Sequence, residues 1–128
     1  FPGGYGLLWD LASDAWVLDA IQRFFATDRP VAMVCHAPAI LRDARDAHGR
    51  PLVEGRELTG FKNEEDAEVE LGRHLLFSLE DELKLRGATY LAKDNWVPHV
   101  VESGPLLTGQ SPASAPGLAE ALRERLRG

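Results

Sequence analysis

The sequence predicts an α/β fold, a doubly wound sandwich whose mostly parallel sheet carries helices on both faces. Short apolar runs alternate with amphipathic stretches from Ser13 to Leu126, and Val31-Ala32-Met33-Val34 has the unbroken apolar character of a parallel strand covered on both faces. With 128 residues, 45% apolar and 27% charged, the chain suits one domain with one core, and neither a repeat nor a linker divides it.

Each element has a local cause. Ser13-Asp14 offers an N-cap, and Val17, Ala20, Ile21, Phe24 and Phe25 recur at helical spacing up to Thr27. Pro30 ends that helix and the strand Val31 to Val34 follows. Pro38 suits the first turn of a further helix through Ala39, Ile40 and Leu41, which the polar stretch Asp43 to Pro51 ends. A second strand, Glu57 to Thr59, leads through Gly60-Phe61 to Asn63-Glu64-Glu65-Asp66, a helix start whose carboxylates suit the positive end of the helix dipole. Ser78-Leu79-Glu80-Asp81 resembles a capping box and opens a helix that stops at Gly87. Ala88 to Leu91, His99 to Val101 and Leu106 to Thr108 read as strands, the last two joined in a tight hairpin at Ser103-Gly104. A closing helix, Pro116 to Leu126, sets Leu118, Leu122 and Leu126 on one face. At the other end, Pro2-Gly3-Gly4-Tyr5-Gly6 reads as the exit of a strand lying before Phe1. Residues 1–128 are therefore expected to form the C-terminal portion of a single domain, with the first βαβ units missing.

Composition excludes several function classes. No apolar run reaches the roughly 20 residues of a membrane span, and no signal peptide is visible. A net charge of −6 without a basic cluster disfavours nucleic acid and anionic membranes as partners. One cysteine can form no internal disulfide, which points to a reducing, cytoplasmic setting. His48, His74 and His99 show no metal-ligand spacing, so neither a metal nor another cofactor is expected.

The chemistry concentrates at Cys35, at the carboxyl end of the Val31 to Val34 strand, where ligands of open α/β sheets bind. On position alone, an inert buried thiol and a nucleophile are equally compatible with such a cysteine. His36 beside it, at a turn, favours the nucleophile. The N-terminus of the next helix and the imidazole are both expected to lower the thiol pKa. Trp96-Val97-Pro98-His99 lies on a loop where Trp96 either walls a pocket or packs in the core.

Four segments, Pro2-Gly3-Gly4-Tyr5-Gly6, Pro30 to Pro38 with its Cys35-His36-Ala37-Pro38, Gly55 to Phe61, and Thr108-Gly109-Gln110-Ser111-Pro112-Ala113-Ser114, resemble the DJ-1/PfpI superfamily. In their order they match its heat-shock-protein-31-like branch, the glutathione-independent glyoxalase III and chaperone group. The resemblance implies a flavodoxin-like α/β/α sandwich, class I glutamine amidotransferase-like, with a nucleophile elbow at Cys35 and His36 as the adjacent base. It implies Asp66 as the acid that orients the histidine, with Glu65 as the fallback. It also implies an oxyanion-binding loop at Gly3 and Gly4, acting with the amide of His36. Position 37 is Ala where the family usually has Gly, and a family glutamate that shares a proton with the cysteine would precede Phe1. The implied reaction converts methylglyoxal, a small dicarbonyl, to lactate without glutathione or metal, and a homodimer is implied as well. Protein deglycation, holdase chaperoning and redox sensing stand as alternatives. A class I glutamine amidotransferase would take its histidine from a His-x-Glu motif, and His99-Val-Val-Glu102 has one residue too many.

Overall fold

In the computed structural model, which describes residues 1–69 and 74–127, the chain forms an α/β arrangement. The strands are β1 (Val31–Val34), β2 (Glu57–Leu58), β3 (Thr89–Tyr90), β4 (Val100–Ser103) and β5 (Leu106–Gly109), and the α-helices are α1 (Ala15–Ala26), α2 (Asn63–Glu68), α3 (Leu79–Leu85) and α4 (Ala115–Arg127). One sheet has the order β1-β5-β4, with β1 parallel to β5 (Val31 opposite Leu106) and β4 antiparallel to it. A second, parallel pair joins β2 to β3, Leu58 opposite Tyr90. Phe1 lies along the other edge of β1, its amino group donating to Ala32 O at 2.7 Å and its carbonyl accepting from Val34 N.

Because successive strand residues face opposite ways, β1 splits its side chains between two layers. Val31 and Met33 enter the buried core with Ile21 of α1, Ile40, Leu41, Leu58, Leu79 and Leu83. Ala32 and Val34 face α4 and are half-buried, so β1 carries a helix on each face as expected, with the tighter packing on the α1 side. The caps form where the sequence places them: Asp14 accepts from Val17 N at 3.0 Å and Ser78 Oγ accepts from Asp81 N at 3.1 Å. The Ser78 box is half of one, since Asp81 Oδ1 accepts from Asn63 Nδ2 instead.

Three further expectations change. The element after Cys35 is a 3₁₀ helix, Ala37–Asp43, rather than an α-helix; its five buried residues Ala37 to Leu41 are packed on all sides, and that packing rather than Pro38 sets its tighter winding. The β4–β5 hairpin turns at Gly104-Pro105, because β4 runs on through Ser103, and Gly104 takes φ +57°. On α4, Leu118 is buried but Leu126 is 69% exposed, because its last turn runs past the sheet that covers the first. Among the described residues no helix is long and apolar enough to cross a membrane.

Candidate active site

Cys35 sits at the bend between β1 and the 3₁₀ helix with φ +64°, a left-handed conformation that costs a non-glycine residue energy and persists only where its surroundings impose it. They do so from both sides. Its amide donates to Gly109 O of β5 at 3.0 Å, and its carbonyl accepts from Phe61 N at 2.9 Å. The Ala37 side chain is accommodated, fully buried, so the departure from glycine leaves the bend intact.

The pair Gly3-Gly4 brings a third segment onto the sulfur. A Cβ at Gly3 would fall 2.5 Å from Cys35 Cβ and 2.8 Å from Val34 O, so only glycine allows this approach. Gly4 takes φ +129°, which L side chains rarely adopt. Its amide and that of His36 face Cys35 and oppose the rise of its thiol pKa.

His36 is fully buried, with Nδ1 3.5 Å from Cys35 Sγ and Nε2 2.9 Å from Asp66 Oδ1. A carboxylate oxygen can only accept, so Nε2 carries the proton and Nδ1 presents its lone pair to the thiol. The imidazole plane is fixed by two rings. Phe61 stacks on it at 4.4 Å between centroids with a 30° interplanar angle, and Tyr5 covers it at 4.3 Å, tilted 41°.

The two candidate acids separate cleanly. Glu65 is fully buried but turned away from His36: its Oε1 accepts from Gln110 Nε2 and Lys62 N, each at 3.2 Å, and its Oε2 accepts from Trp96 N at 2.9 Å. These bonds tie α2 to the loops that follow β3 and β5, while Asp66 alone of the two meets the imidazole. Trp96, with φ +65°, lies edge-on to Phe61 at 5.4 Å and is 41% exposed, its indole N–H donating to Glu68. It borders the cluster through Phe61, one ring removed from His36. His99 and Glu102 do not pair, Glu102 binding Arg125 Nε at 3.2 Å and the His99 amide bonding Ser114 Oγ.

The expected lowering of the thiol pKa is corrected. Burial pushes Cys35 up to about 11, against the opposing amide hydrogen bonds of His36 and Gly4, and the nearby Glu65 and Asp66 charges add to the rise. Desolvation outweighs the bend because the sulfur is shielded and its neighbours include two carboxylates. Two participants carried no role in the sequence reading. Phe61 closes the Thr-Gly-Phe segment and Tyr5 directly follows Gly4, so nearness to those segments was the available signal.

Residues 1–125 match the model of the DJ-1/PfpI family. The chain is 36% identical over 118 residues to the glutathione-independent glyoxalase HSP31 of Saccharomyces cerevisiae, covering 88% of this chain and 50% of that protein. It is 32% identical over 123 residues to the protein/nucleic acid deglycase HchA of Escherichia coli, covering 93% and 42%. The crystal structure of glyoxalase III from Candida albicans superposes with a TM-score of 0.87 at 26% identity, over 95% of this chain and 54% of that one. The chain spans about half the length of the curated relatives it matches. Its fold is the flavodoxin-type α/β fold of these relatives, partial beside the full homologues. The chain belongs to the DJ-1/PfpI family, on its HSP31-like glutathione-independent glyoxalase branch.

Proposed function

We propose that this chain carries the reacting groups of a glutathione-independent glyoxalase that converts methylglyoxal to lactate, with Cys35 as nucleophile, His36 as base and Asp66 as the residue that orients it. One observation carries the reading: the relay from Cys35 Sγ to His36 Nδ1 at 3.5 Å and from His36 Nε2 to Asp66 Oδ1 at 2.9 Å. The chemistry balances on these groups. As the thiol is neutral, Sγ bonds the aldehyde carbon while its proton passes to Nδ1, and the imidazolium returns that proton to the aldehyde oxygen, giving a hemithioacetal. His36 then takes the proton on C1 and delivers it to C2 through an enediol, while the proton of the C1 hydroxyl passes to the C2 oxygen, so that C1 is oxidised to the thioester carbonyl as C2 is reduced to the carbinol. The thioester formed is cleaved by water, which releases lactate and restores the thiol. Through both stages the amides of Gly4 and His36 stabilise charge on the C1 oxygen.

Raised burial of the sulfur favours this base-assisted route over a resting thiolate. Deglycation of adducts on protein is a second reading of the same relay, favoured by the 32% identity to a deglycase. Replacing Cys35 by Ser in the protein as naturally produced is expected to abolish methylglyoxal consumption, followed by loss of substrate and appearance of lactate. Turnover that survives the replacement removes Cys35 from the reaction.

A further inference from the structure

Tyr5 presents a shielded hydroxyl that the described residues leave without a close hydrogen-bond partner. The residue opens a 3₁₀ turn, Tyr5–Leu8, immediately after Gly4, and its ring lies over His36 at 4.3 Å and edge-on to Phe61 at 6.2 Å. Its Oη is shielded from solvent and has no close hydrogen-bond partner among the described residues; the Asp66 carboxylate is the acceptor it leans towards. Other buried oxygens without partners, those of Thr59, Asn95 and Ser111, carry no ring stacked on the imidazole. Buried hydroxyls are normally paired, and one left open beside reacting groups points to a partner that arrives with the ligand.

We propose that the Tyr5 hydroxyl donates a hydrogen bond to the second carbonyl oxygen of a vicinal dicarbonyl held by Cys35, making Tyr5 a catalytic residue that selects dicarbonyls over simple aldehydes. The proposal rests on the glyoxalase reading above and extends it to the ketone end of the substrate. The division of labour follows from position. The amides of Gly4 and His36 face Cys35 and serve the oxygen on C1, the carbon that bonds Sγ. The Tyr5 ring covers the opposite partner of that bond, the imidazole that shuttles the proton from C1 to C2. In the proposed complex the hydroxyl meets the oxygen on C2, where negative charge develops as the enediol forms. Tyr5 keeps its proton throughout, so the step adds no acid or base to the reaction. Burial first, and then the negative charge of Asp66, holds the phenol up to about 12, which keeps it a donor across the working pH range.

Such a contact discriminates by chemistry. A monocarbonyl aldehyde can add to Cys35 but leaves the Tyr5 hydroxyl open, whereas a 1,2-dicarbonyl satisfies both ends of the site. A site that hydrogen-bonds a substrate oxygen rejects analogues lacking it.

The test is Tyr5→Phe, which keeps the ring over His36 and removes only the hydroxyl, made in the protein as naturally produced. Two readouts are needed: kcat/KM for methylglyoxal, and the protection of Cys35 from iodoacetamide by methylglyoxal and by propionaldehyde. The expected result is a fall in kcat/KM on the order of 10- to 100-fold, as for loss of one donor to a developing oxyanion. Methylglyoxal protection should weaken in parallel, while propionaldehyde protection and the unprotected alkylation rate stay as in the parent. Turnover and methylglyoxal protection both equal to the parent's overturn the Tyr5 assignment and leave the glyoxalase reading standing. A parent that is protected by methylglyoxal but forms no lactate sinks the glyoxalase reading, and Tyr5 is then decided by whether its replacement weakens that protection. A parent neither protected nor active overturns both.

Discussion

His36 Nε2 lies 2.9 Å from Asp66 Oδ1, across thirty residues of chain, while the adjacent Glu65 carboxylate accepts from the Trp96 amide at 2.9 Å. Successive positions in a short helix point two carboxylates to different tasks. Asp66 fixes the imidazole tautomer, and Glu65 ties α2 to the loops around it. Asp66→Asn is therefore expected to lower kcat by about 10²–10⁴-fold with little change in fold, as when a triad acid is neutralised. Glu65→Gln should act on stability, costing about 1–3 kcal/mol through unpaired buried donors and acceptors, with a smaller loss of rate. Denaturant unfolding and steady-state kinetics on both variants separate the two roles. A larger kinetic loss in Glu65→Gln than in Asp66→Asn reverses the assignment.

The contact of Gly3 with Cys35 gives a second test. A methyl group at position 3 would meet Cys35 Cβ at 2.5 Å and the Val34 carbonyl at 2.8 Å, both parts of the backbone bend rather than flexible ends. Gly3→Ala must displace the bend or the glycine loop, an overpacking cost of about 1–3 kcal/mol. Thermal unfolding should drop by several degrees and Cys35 alkylation should change with it. An unfolding temperature within about 1 °C of the parent, with alkylation unaltered, contradicts the close approach.

The ionisation of Cys35 has a defined sign. Burial raises the thiol from 9.0 to about 11, so its thiolate fraction at neutral pH is about 100-fold below that of an unperturbed thiol, two pKa units being two decades. Alkylation of this 128-residue chain by iodoacetamide is expected to rise roughly tenfold per pH unit until close to the raised pKa. The folded chain holds a proton that the unfolded chain releases above pH 9.0, so this group's contribution to stability is complete below that pH and is lost as pH rises through about 11. A plateau in alkylation reached near neutral pH would mean an ionised resting thiol and an unassisted attack.

Local signals account for what could be read in advance. Asp14 and Ser78 cap helices because a side-chain oxygen within three residues satisfies an amide, and the β4–β5 hairpin follows from a glycine that takes a positive φ. The strand-to-Cys35 bend, the adjacent His36 and the glycine pair are equally short-range, and their resemblance to the DJ-1/PfpI family was legible in the residues themselves. Misreadings cluster where packing overrides local preference: the 3₁₀ helix after Cys35 and the exposed Leu126.

Sequence alone thus determined the order of elements, the family and the identity of the Cys35-His36 pair, since each depends on neighbours a few positions apart. The resemblance had already named Asp66, with Glu65 as the fallback; tertiary structure alone decided what Glu65 binds instead, that Tyr5 and Phe61 enclose the imidazole, and that burial raises the thiol pKa. The physical reason is that solvation and charge act through space. The energy of a proton on Cys35 sums contributions from Gly4, Glu65 and Asp66, segments that no local pattern links and only the fold brings to one sulfur atom.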